Sequence, residues 1–348
     1  MYPRRLSKVI NIGLVQVGGR SPISVQSMTK TDTRDAAATI RQIRELEDRG
    51  CEIIRVAVPD SQAAGTLTKI KRGINIPLIA DIHFDHHLAL KALSAGVDGL
   101  RLNPGNISEA SKVSEIVKVA KERQTPIRIG VNAGSLPPPA VSGQTIPQRM
   151  VATAMRHIKL LEDLNFDLIK VSLKAFDVPT AIEAYQDIAV KIPYPLHLGI
   201  TEAGTPRAGV IRSAAGIGTL LYLGIGDTIR VSLTTTPHEE VAAGYDILKS
   251  LNLRERGPIL VSCPTCGRCE ADVIVLAEQV EKMLQKTSKS LRVAVMGCVV
   301  NGPGEAKDAD IGIACGKGKA ILFKKGKQLA VVAENEILVR LMREIEEM

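Results

Sequence analysis

Short runs of β-branched and other apolar residues alternate along the first 235 residues with segments whose apolar positions follow a helical period. Short apolar runs bounded by turn residues are typical of buried strands, and helical spacing indicates amphipathic helices. The predicted strands are 23–28, 52–58, 77–82, 99–103, 126–131, 168–173, 195–200 and 228–233. The predicted helices are 36–49, 86–95, 108–123, 149–164, 179–190, 213–223 and 238–251.

The alternation itself predicts the fold class. Strand–helix repeats of about 30 residues are typical of βαβ units and a parallel sheet. Eight strands in about 240 residues are the number needed for a (β/α)8 TIM-type barrel, whereas the competing doubly wound open sheet usually has five or six strands.

One connection, residues 133–144, is too proline-rich for a helix, and loop-length statistics favour a surface loop over a substrate-gating loop.

The pattern changes after the RERGP segment at 254–258. Strands are predicted at 259–262, 292–296, 310–314, 319–323 and 328–332, with helices at 271–285 and 334–347. The sequence therefore predicts two domains, a barrel over 1–253 and a small α+β domain over 254–348. The GKGK segment at 316–319 lacks the full phosphate-loop motif and lies between two short strands, which favours a hairpin turn.

Composition and charge narrow the class of protein. The chain has 348 residues, of which 45% are hydrophobic and 24% charged. No apolar run approaches the about 20 residues that span a bilayer, and the N-terminus lacks the features of a signal peptide, so we expect a cytoplasmic protein. The net charge of +8 favours an anionic partner. Nucleic acid is the weakest candidate, because only 3% of residues are aromatic and none is Trp.

Charged and polar residues interrupt the predicted barrel strands, each in the C-terminal half of a strand or just past it. These residues are Arg55, Asp81, His83, Arg101, Asn103, Arg128, Asn132, Ser172, Lys174, Glu202, Arg230, Ser232 and Thr234. Active sites of barrels are built at this end of the strands. A group of unpaired buried cations is unfavourable without a polyanion, and Arg and Lys clusters commonly bind phosphate. The pattern therefore predicts a site for a diphosphate.

Five of the six cysteines lie in the last 90 residues, which in a chain without a secretory signal favours metal over disulfides. Cys263, Cys266 and Cys269 form a CxxCxxC run, and Cys298 follows within MGCVVNGPGEA. The small domain contains no His, so this spacing fits a [4Fe–4S] cluster better than zinc. Spacing alone selects these four cysteines as ligands, whereas Cys51 and Cys315 lie in apolar runs typical of a protein core.

Several motifs in both predicted domains resemble those of one family. They are VQSMT, ADIHF, RLNPGN, RIGVNAGSL, GITEAG, GIGDTIRVSL, SCPTCGR and MGCVVNGPGEA. Together they resemble the GcpE (IspG) family, bacterial enzymes that make 4-hydroxy-3-methylbut-2-enyl diphosphate in non-mevalonate isoprenoid synthesis. The chain resembles the short, two-domain form of that family.

The resemblance implies a reaction and a set of site residues. The reaction is the reductive ring opening of 2-C-methyl-D-erythritol 2,4-cyclodiphosphate. The implied [4Fe–4S] ligands are Cys263, Cys266, Cys298 and Glu305, so that Cys269 departs from the family pattern. The implied diphosphate-binding residues are Arg55, Arg101, Asn103, Arg128, Asn132, Lys174, Arg230 and Ser232. Asp81, His83 and Glu202 would surround the reacting carbons, with Glu202 as the candidate proton donor; an ion pair to a neighbouring Arg is its alternative role.

The resemblance also implies partners. Electrons would come from reduced flavodoxin or ferredoxin, and head-to-tail homodimers would join a barrel with a cluster domain; the sequence leaves pairing within or between subunits open. Lysines at 317, 319, 324, 325 and 327 suit an acidic carrier, but a solvated charged hairpin explains them equally well. Two other functions stay open: an iron–sulfur lyase or isomerase acting on another diphosphate, and a non-enzymatic iron–sulfur or zinc protein that binds RNA.

Overall fold

The computed structural model describes residues 1–83, 85–102, 107, 109–138, 142–285, 287, 289–298, 304 and 306–348. The chain divides into two compact units, Met1–Arg254 and Glu255–Met348. No helix among the described residues is long and apolar enough to cross a membrane.

The first unit is a barrel of eight parallel strands. In chain order they are β3 (Ser24–Met28), β4 (Ile53–Ala57), β5 (Leu78–Ile82), β6 (Gly99–Leu102), β7 (Ile127–Asn132), β8 (Ile169–Lys174), β9 (His197–Leu198) and β10 (Thr228–Ile229). Their order in the sheet is β8-β7-β6-β5-β4-β3-β10-β9, and a parallel bridge between Val171 and Leu196 joins the two ends. The predicted barrel is confirmed.

Eight helices surround this barrel among the described residues. They are α1 (Ala36–Asp48), α2 (Ser61–Arg72), α3 (His86–Ser94), α4 (Ala110–Glu122), α5 (Ile146–Asp163), α6 (Val178–Lys191), α7 (Pro206–Tyr222) and α8 (Pro237–Ser250). The sequence analysis missed α2, whose buried face consists of Ala63, Ala64, Leu67 and Ile70. Two of these four residues are alanines, so the face is weakly apolar and its helical spacing is hard to recognise.

A short antiparallel hairpin that the sequence analysis also missed closes one end of the barrel. Its strands are β1 (Ile10–Ile12) and β2 (Val15–Val17). Ile10, Ile12 and Val17 are buried with Ile53 of β4 and Ile79 of β5 in a separate small apolar cluster. Because both barrel residues lie early in their strands, the hairpin covers the amino-terminal end of the barrel and leaves the opposite end for a site.

The two faces of the barrel strands differ in chemistry. Residues such as Ile54, Val56, Leu100 and Ile129 face outward, where they share one apolar core with the helices. The alternate positions therefore face the barrel interior, since side chains two residues apart share a face. Those positions hold Arg55, Asp81, Arg101, Arg128, Lys170, Ser172 and Lys174, all of them buried. Interiors of such barrels are usually filled with branched apolar side chains. This interior is instead charged.

The second unit contains a five-stranded mixed sheet with two helices. The strands are β11 (Ile259–Ser262), β12 (Arg292–Met296), β13 (Ile311–Gly316), β14 (Lys319–Lys324) and β15 (Lys327–Ala333), and the helices are α9 (Val273–Leu284) and α10 (Ile337–Glu346). β11, β12 and β13 are parallel, and β14 and β15 continue the sheet antiparallel. Gly316 pairs with Lys319 across a tight turn, which confirms the hairpin predicted there.

Candidate functional site

Arginines and a lysine from adjacent strands enter the barrel interior. Arg55 lies on β4, Arg101 on β6, Arg128 on β7 and Lys174 at the end of β8, and all four are at least nine-tenths buried. Arg230, half-buried, follows β10 directly. We call these five residues the cation cluster. The structure therefore brings together the basic residues that the sequence predicted for an anion.

One detail of that prediction was wrong. Arg128 is the second of six residues in β7 and so lies in the amino-terminal half of its strand. It nevertheless pairs in register with Arg101, the third of four residues in β6. Strands of a barrel are staggered, so equal depth inside the barrel does not correspond to equal position along each strand.

Asp81 is the carboxylate at the centre of the cation cluster. Arg101 Nη1 donates to its Oδ1 at 3.0 Å, and Arg55 Nε lies 3.5 Å from its Oδ2. Arg101 Nη1 also donates to His83 Nε2 at 3.1 Å. Burial by itself raises the pKa of Asp81, but Arg55, the His83 hydrogen bond and Arg101 together hold that pKa well below its usual range. Asp81 is therefore ionised and orients the two guanidinium groups.

The rest of the positive charge has few partners. Arg55 donates from Nη2 to the thioether sulfur of Met28 at 2.9 Å, and Arg128 donates to the Ser172 hydroxyl. Burial lowers the pKa of Arg55 to about 9 although Asp81 opposes this, and burial followed by neighbouring arginines lowers those of Arg128 and Lys174 well below their usual range. Arginine stays protonated in proteins, so the shifts of Arg55 and Arg128 express the electrostatic cost of burying several guanidinium groups close together.

Buried N–H groups without a partner show where a ligand could accept hydrogen bonds. The Nε atoms of Arg101, Arg128 and Arg230 are buried and have no hydrogen-bond partner among the described residues. Buried donors in native structures are almost always paired. An anion with several oxygen atoms would satisfy the three donors and offset the charge at once. The geometry thus supports binding of a polyanion.

Two glycines make room for the cation cluster. A Cβ atom on Gly130 would lie 3.0 Å from Arg101 Nε and 3.1 Å from Arg128 Nη1. A Cβ atom on Gly199, after β9, would lie 2.6 Å from both Lys174 Nζ and the Arg230 carbonyl oxygen. Side chains at these two positions would occupy the space that the cations use.

We expect Gly199→Ala to lower the free energy of unfolding by about 1–3 kcal/mol, because the methyl group collides with backbone at Arg230 and forces a local shift. Urea denaturation monitored by circular dichroism measures the change. Gly218→Ala on α7 is the matched control, since a Cβ there meets no atom within 4 Å. Equal stability of both variants would contradict close packing at Gly199.

The other predicted site residues are exposed or half-buried where the structure describes them. His83 and Glu202 are exposed, and Asn132 and Ser232 are half-buried. Glu202 has a left-handed backbone, with φ of 55°, and among the described residues it makes no ion pair. Asn103 and Glu305 lie outside the described residues.

Sequence reasoning missed polar groups deeper in the barrel. Lys170 on β8 and His197 on β9 are almost completely buried, and Gln26 on β3 has no partner for either amide atom among the described residues. A signal existed for Lys170, which shares the face of Ser172 and Lys174 in a strict alternation. Its position early in β8, away from the carboxyl ends where barrel sites are built, makes that signal easy to miss.

In the second unit, two cysteines follow neighbouring parallel strands. Cys263 comes directly after β11 and its backbone N–H donates to the Val295 carbonyl at 3.0 Å; Cys298 lies two residues beyond β12. Cys266 and Cys269 form a turn closed by a 2.9 Å hydrogen bond between their backbones. Carboxyl ends of adjacent parallel strands lie at one edge of a sheet. The chain therefore presents several thiols at the edge formed by β11 and β12.

A glycine next to these thiols lets two of the sulfurs come close to the backbone. A Cβ on Gly297 would lie 2.2 Å from Cys269 Sγ and 3.7 Å from Cys263 Sγ. The absence of a side chain at Gly297 thus allows both sulfurs to approach the backbone that precedes Cys298. Soft thiolates are the ligands that iron–sulfur clusters use, so the donors gathered here fit such a cluster.

The remaining cysteines are confirmed as core residues. Cys51 is 2% exposed and Cys315 is completely buried. Burial raises the pKa of the Cys51 thiol to about 12 and that of Cys315 to about 11, which opposes the thiolate form that metals bind. None of the six cysteines, each within the described ranges, forms a disulfide. In the described part of the chain, the only close group of three ligand-type side chains is Asp85, His86 and His87, where α3 begins.

Comparisons with known proteins cover both units. The model described as the GcpE TIM-barrel domain matches residues 7–245, and the model described as the GcpE protein C-terminal domain matches residues 259–347. A relative from Dehalococcoides mccartyi, named 4-hydroxy-3-methylbut-2-en-1-yl diphosphate synthase (flavodoxin), is 66% identical over 345 residues, 99% of each chain. A relative of the same name from Geobacter sulfurreducens is 56% identical, covering 98% of this chain and 97% of its own.

Solved structures with little sequence identity share the barrel. Dihydropteroate synthase from Yersinia pestis superposes with a TM-score of 0.52 at 12% identity, covering 70% of this chain and 98% of its own. 3-Dehydroquinate dehydratase from Geobacillus kaustophilus gives 0.51 at 13% identity, covering 71% and 98%. At this identity the similarity shows the fold alone.

Proposed function

The chain belongs to the GcpE family, and from this premise we propose that it catalyses the reductive ring opening of 2-C-methyl-D-erythritol 2,4-cyclodiphosphate to 4-hydroxy-3-methylbut-2-enyl diphosphate. The observation that carries the proposal is the buried cation cluster with three orphaned Nε donors. A cyclic diphosphate supplies the several anionic oxygens that such donors require.

The cation cluster binds and orients the diphosphate in this proposal. Opening the ring converts a phosphate diester oxygen into a free oxyanion, so negative charge develops on the leaving diphosphate. Arg101 and Arg128, buried and held in place before the substrate arrives, stabilise that charge without reorganisation. Asn103, Asn132 and Ser232 are proposed as further hydrogen-bonding groups to the substrate, with Asp81 and His83 beside the reacting carbons.

The reaction adds two electrons and two protons and releases one water, with all phosphate oxygens counted as protonated. Glu202 is proposed to give a proton to the departing hydroxyl group, because hydroxide is a poor leaving group. A [4Fe–4S] cluster, when bound, would supply electrons singly, and we propose Cys263, Cys266, Cys298 and Glu305 as its ligands.

The relatives are named for flavodoxin, and we propose a reduced flavodoxin, or a ferredoxin, as the electron donor. Lys317, Lys319, Lys325 and Lys327 are exposed around the β13–β14 and β14–β15 turns, where an acidic carrier would be attracted. We further propose that the protein is a homodimer, which sedimentation equilibrium of the intact protein tests. The expected cytoplasmic location stays a prediction.

Anaerobic turnover tests the reaction. Protein purified without oxygen is incubated with the cyclodiphosphate and reduced flavodoxin, and the product is identified by mass spectrometry. Product formed only with the reductant supports the proposal. Turnover without reductant would identify a non-redox lyase or isomerase, and a colourless, zinc-containing, RNA-binding preparation would replace the enzyme hypothesis altogether.

We expect Arg101→Ala to weaken binding of the cyclodiphosphate by about 1.5–3 kcal/mol, which is about 10- to 150-fold in Kd, because a charge-assisted contact is lost. Calorimetry without reductant measures Kd. Iron content should stay that of the wild type, since Arg101 and the cysteines belong to different compact units. Arg41→Ala, an exposed arginine on α1, is the control. Unchanged affinity in the Arg101 variant would remove the cation cluster from the binding model.

A further inference from the structure

Lys170 is a buried lysine that the proposed reaction does not use. It lies on β8, is 1% exposed, and its Nζ has no hydrogen-bond partner within the described part of the chain. On the neighbouring strand β7, Arg128 is its partner in register. Ser172 and Lys174 follow on the same inward face of β8. Lys170 therefore lies in the barrel interior beside Arg128 and nearer the amino-terminal end of β8 than Lys174.

The groups around Lys170 do not neutralise it. Arg128 on β7, Arg55 on β4 and His197 on β9 are basic, and Asp227, which precedes β10, is the acidic group whose charge acts on it. The Asp227 carboxylate accepts hydrogen bonds from Arg4 and Ser7, both at 2.9 Å, and from the Leu196 backbone at 2.8 Å. Asp227 thus ties the N-terminal segment to the barrel and does not pair directly with Lys170.

An amine in this position has a cost for the fold. Burying a polar group without a hydrogen bond is unfavourable, and replacement of buried charges by apolar groups of similar volume often stabilises a protein. A methionine or leucine would fill the same space. A buried amine without a partner, beside a set of cations that can bind an anion, points to a role in binding.

We propose that Lys170 takes up a proton when the cation cluster binds a diphosphate, so that a neutral amine in the free protein becomes a compensating ammonium beside Arg128. The inference rests on the proposed function, because it requires a diphosphate in the cation cluster. No covalent step is involved. The proton comes from solvent, and Lys170 acts as a positioning residue for charge.

The direction in which burial and neighbouring charges shift the pKa of Lys170 supports this role. Burial, and then Arg128, lowers the pKa of Lys170 well below its usual range, which favours the neutral amine in the free protein. The negative charge of a bound diphosphate acts in the opposite sense and favours the ammonium. His197 shows the same tendency, since burial and then Lys174 lower its pKa, but its Nδ1 already bonds to Thr228 Oγ1 at 2.8 Å. Of these two groups, Lys170 has no such bond and is the better acceptor.

Because proton uptake is coupled to diphosphate binding, the pH dependence of Kd tests the proposal. If binding takes up one proton, the Kd for the diphosphate rises by up to tenfold per pH unit over the range in which the free protein holds the neutral amine. Calorimetric titration of the intact, cluster-containing enzyme with the cyclodiphosphate is performed without reductant in two buffers of different ionisation enthalpy. The difference in heat gives the number of protons exchanged. We expect wild type to take up about one proton more than Lys170→Met.

Control measurements distinguish proton uptake by Lys170 from destabilisation of the fold and from ionisation of the substrate. Ionisation of the substrate itself contributes equally to both proteins and cancels. Lys159→Met, an exposed lysine on α5, should behave as wild type. Lys170→Met should keep or raise the free energy of unfolding, whereas a merely structural lysine would destabilise the protein when lost. If Lys170→Met fails to fold, Lys170→Arg, which stays charged, should fold and lose the extra proton uptake.

The outcomes are distinct. Wild-type protein that does not bind the cyclodiphosphate would contradict the proposed function. Binding with equal proton uptake in wild type and a folded Lys170 variant would leave the proposed function intact and overturn the role of Lys170. Loss of the extra proton together with retained stability would support it.

Discussion

Replacement of Glu202 by glutamine should lower kcat by about 10²–10⁴-fold and leave KM for the cyclodiphosphate nearly unchanged. Glutamine keeps the size and polarity of the side chain but cannot release a proton, so only the step that expels the hydroxyl group is affected. Steady-state kinetics under anaerobic conditions, with reduced flavodoxin in excess, measure both constants.

Two features of the structure make this variant informative. Glu202 makes no ion pair among the described residues, so its loss does not break a charge pair that holds the fold. Its left-handed φ of 55° is uncommon for a residue other than glycine, and such conformations often occur at functional sites. Glu183→Gln on α6 is a control for the change in charge. A Glu202→Gln enzyme with wild-type kcat would assign the proton to another donor.

The barrel could be predicted from the sequence because its signal is local and repeated. Each strand can be recognised from an apolar run of about four to eight residues. Each helix that packs on the sheet can be recognised from apolar positions nearby in the chain. The helix α2 escaped because alanines form its buried face. The hairpin of β1 and β2 escaped because three-residue strands carry too little alternation to be recognised.

The site was only partly predictable for a different reason. Basic residues in strands are visible one by one, and their convergence followed from the barrel itself. What the sequence could not give is depth: Arg128 enters early in β7 yet reaches the level of Arg101 through the stagger of the strands. Lys170 belongs to the same interior, but alternation alone does not say which polar residue lacks a partner. That property depends on contacts between strands far apart in the chain.

The ligands of the cluster are where spacing and family pattern disagree. The CxxCxxC spacing selects Cys269, and its sulfur lies against Gly297 beside Cys263. The family pattern selects Glu305. A carboxylate oxygen is a harder and more labile ligand for iron than a thiolate, so Glu305 would leave one iron open to exchange. Under the family pattern, Cys269 would lie near the cluster without being one of its ligands.

We expect Glu305→Ala to lose most turnover while it retains much of its iron, and Cys269→Ser to keep both. Three thiolates can hold three corners of a cluster, with water or an added thiol at the fourth, so activity in the Glu305 variant should fall further than iron content. Both proteins are prepared without oxygen, and iron, sulfide and turnover are measured. Cys51→Ala, a buried cysteine of the barrel unit, controls for loss of a thiol.

The opposite result for the two variants would contradict our ligand assignment. If Cys269→Ser loses its iron and Glu305→Ala behaves as wild type, the cluster has four thiolate ligands and no exchangeable oxygen ligand. Substrate could then reach iron only by displacing a thiolate, which binds iron more strongly than a carboxylate does. The packing of Cys269 on Gly297 would in that case be ligand geometry, whereas under our assignment it fills the space beside Cys263.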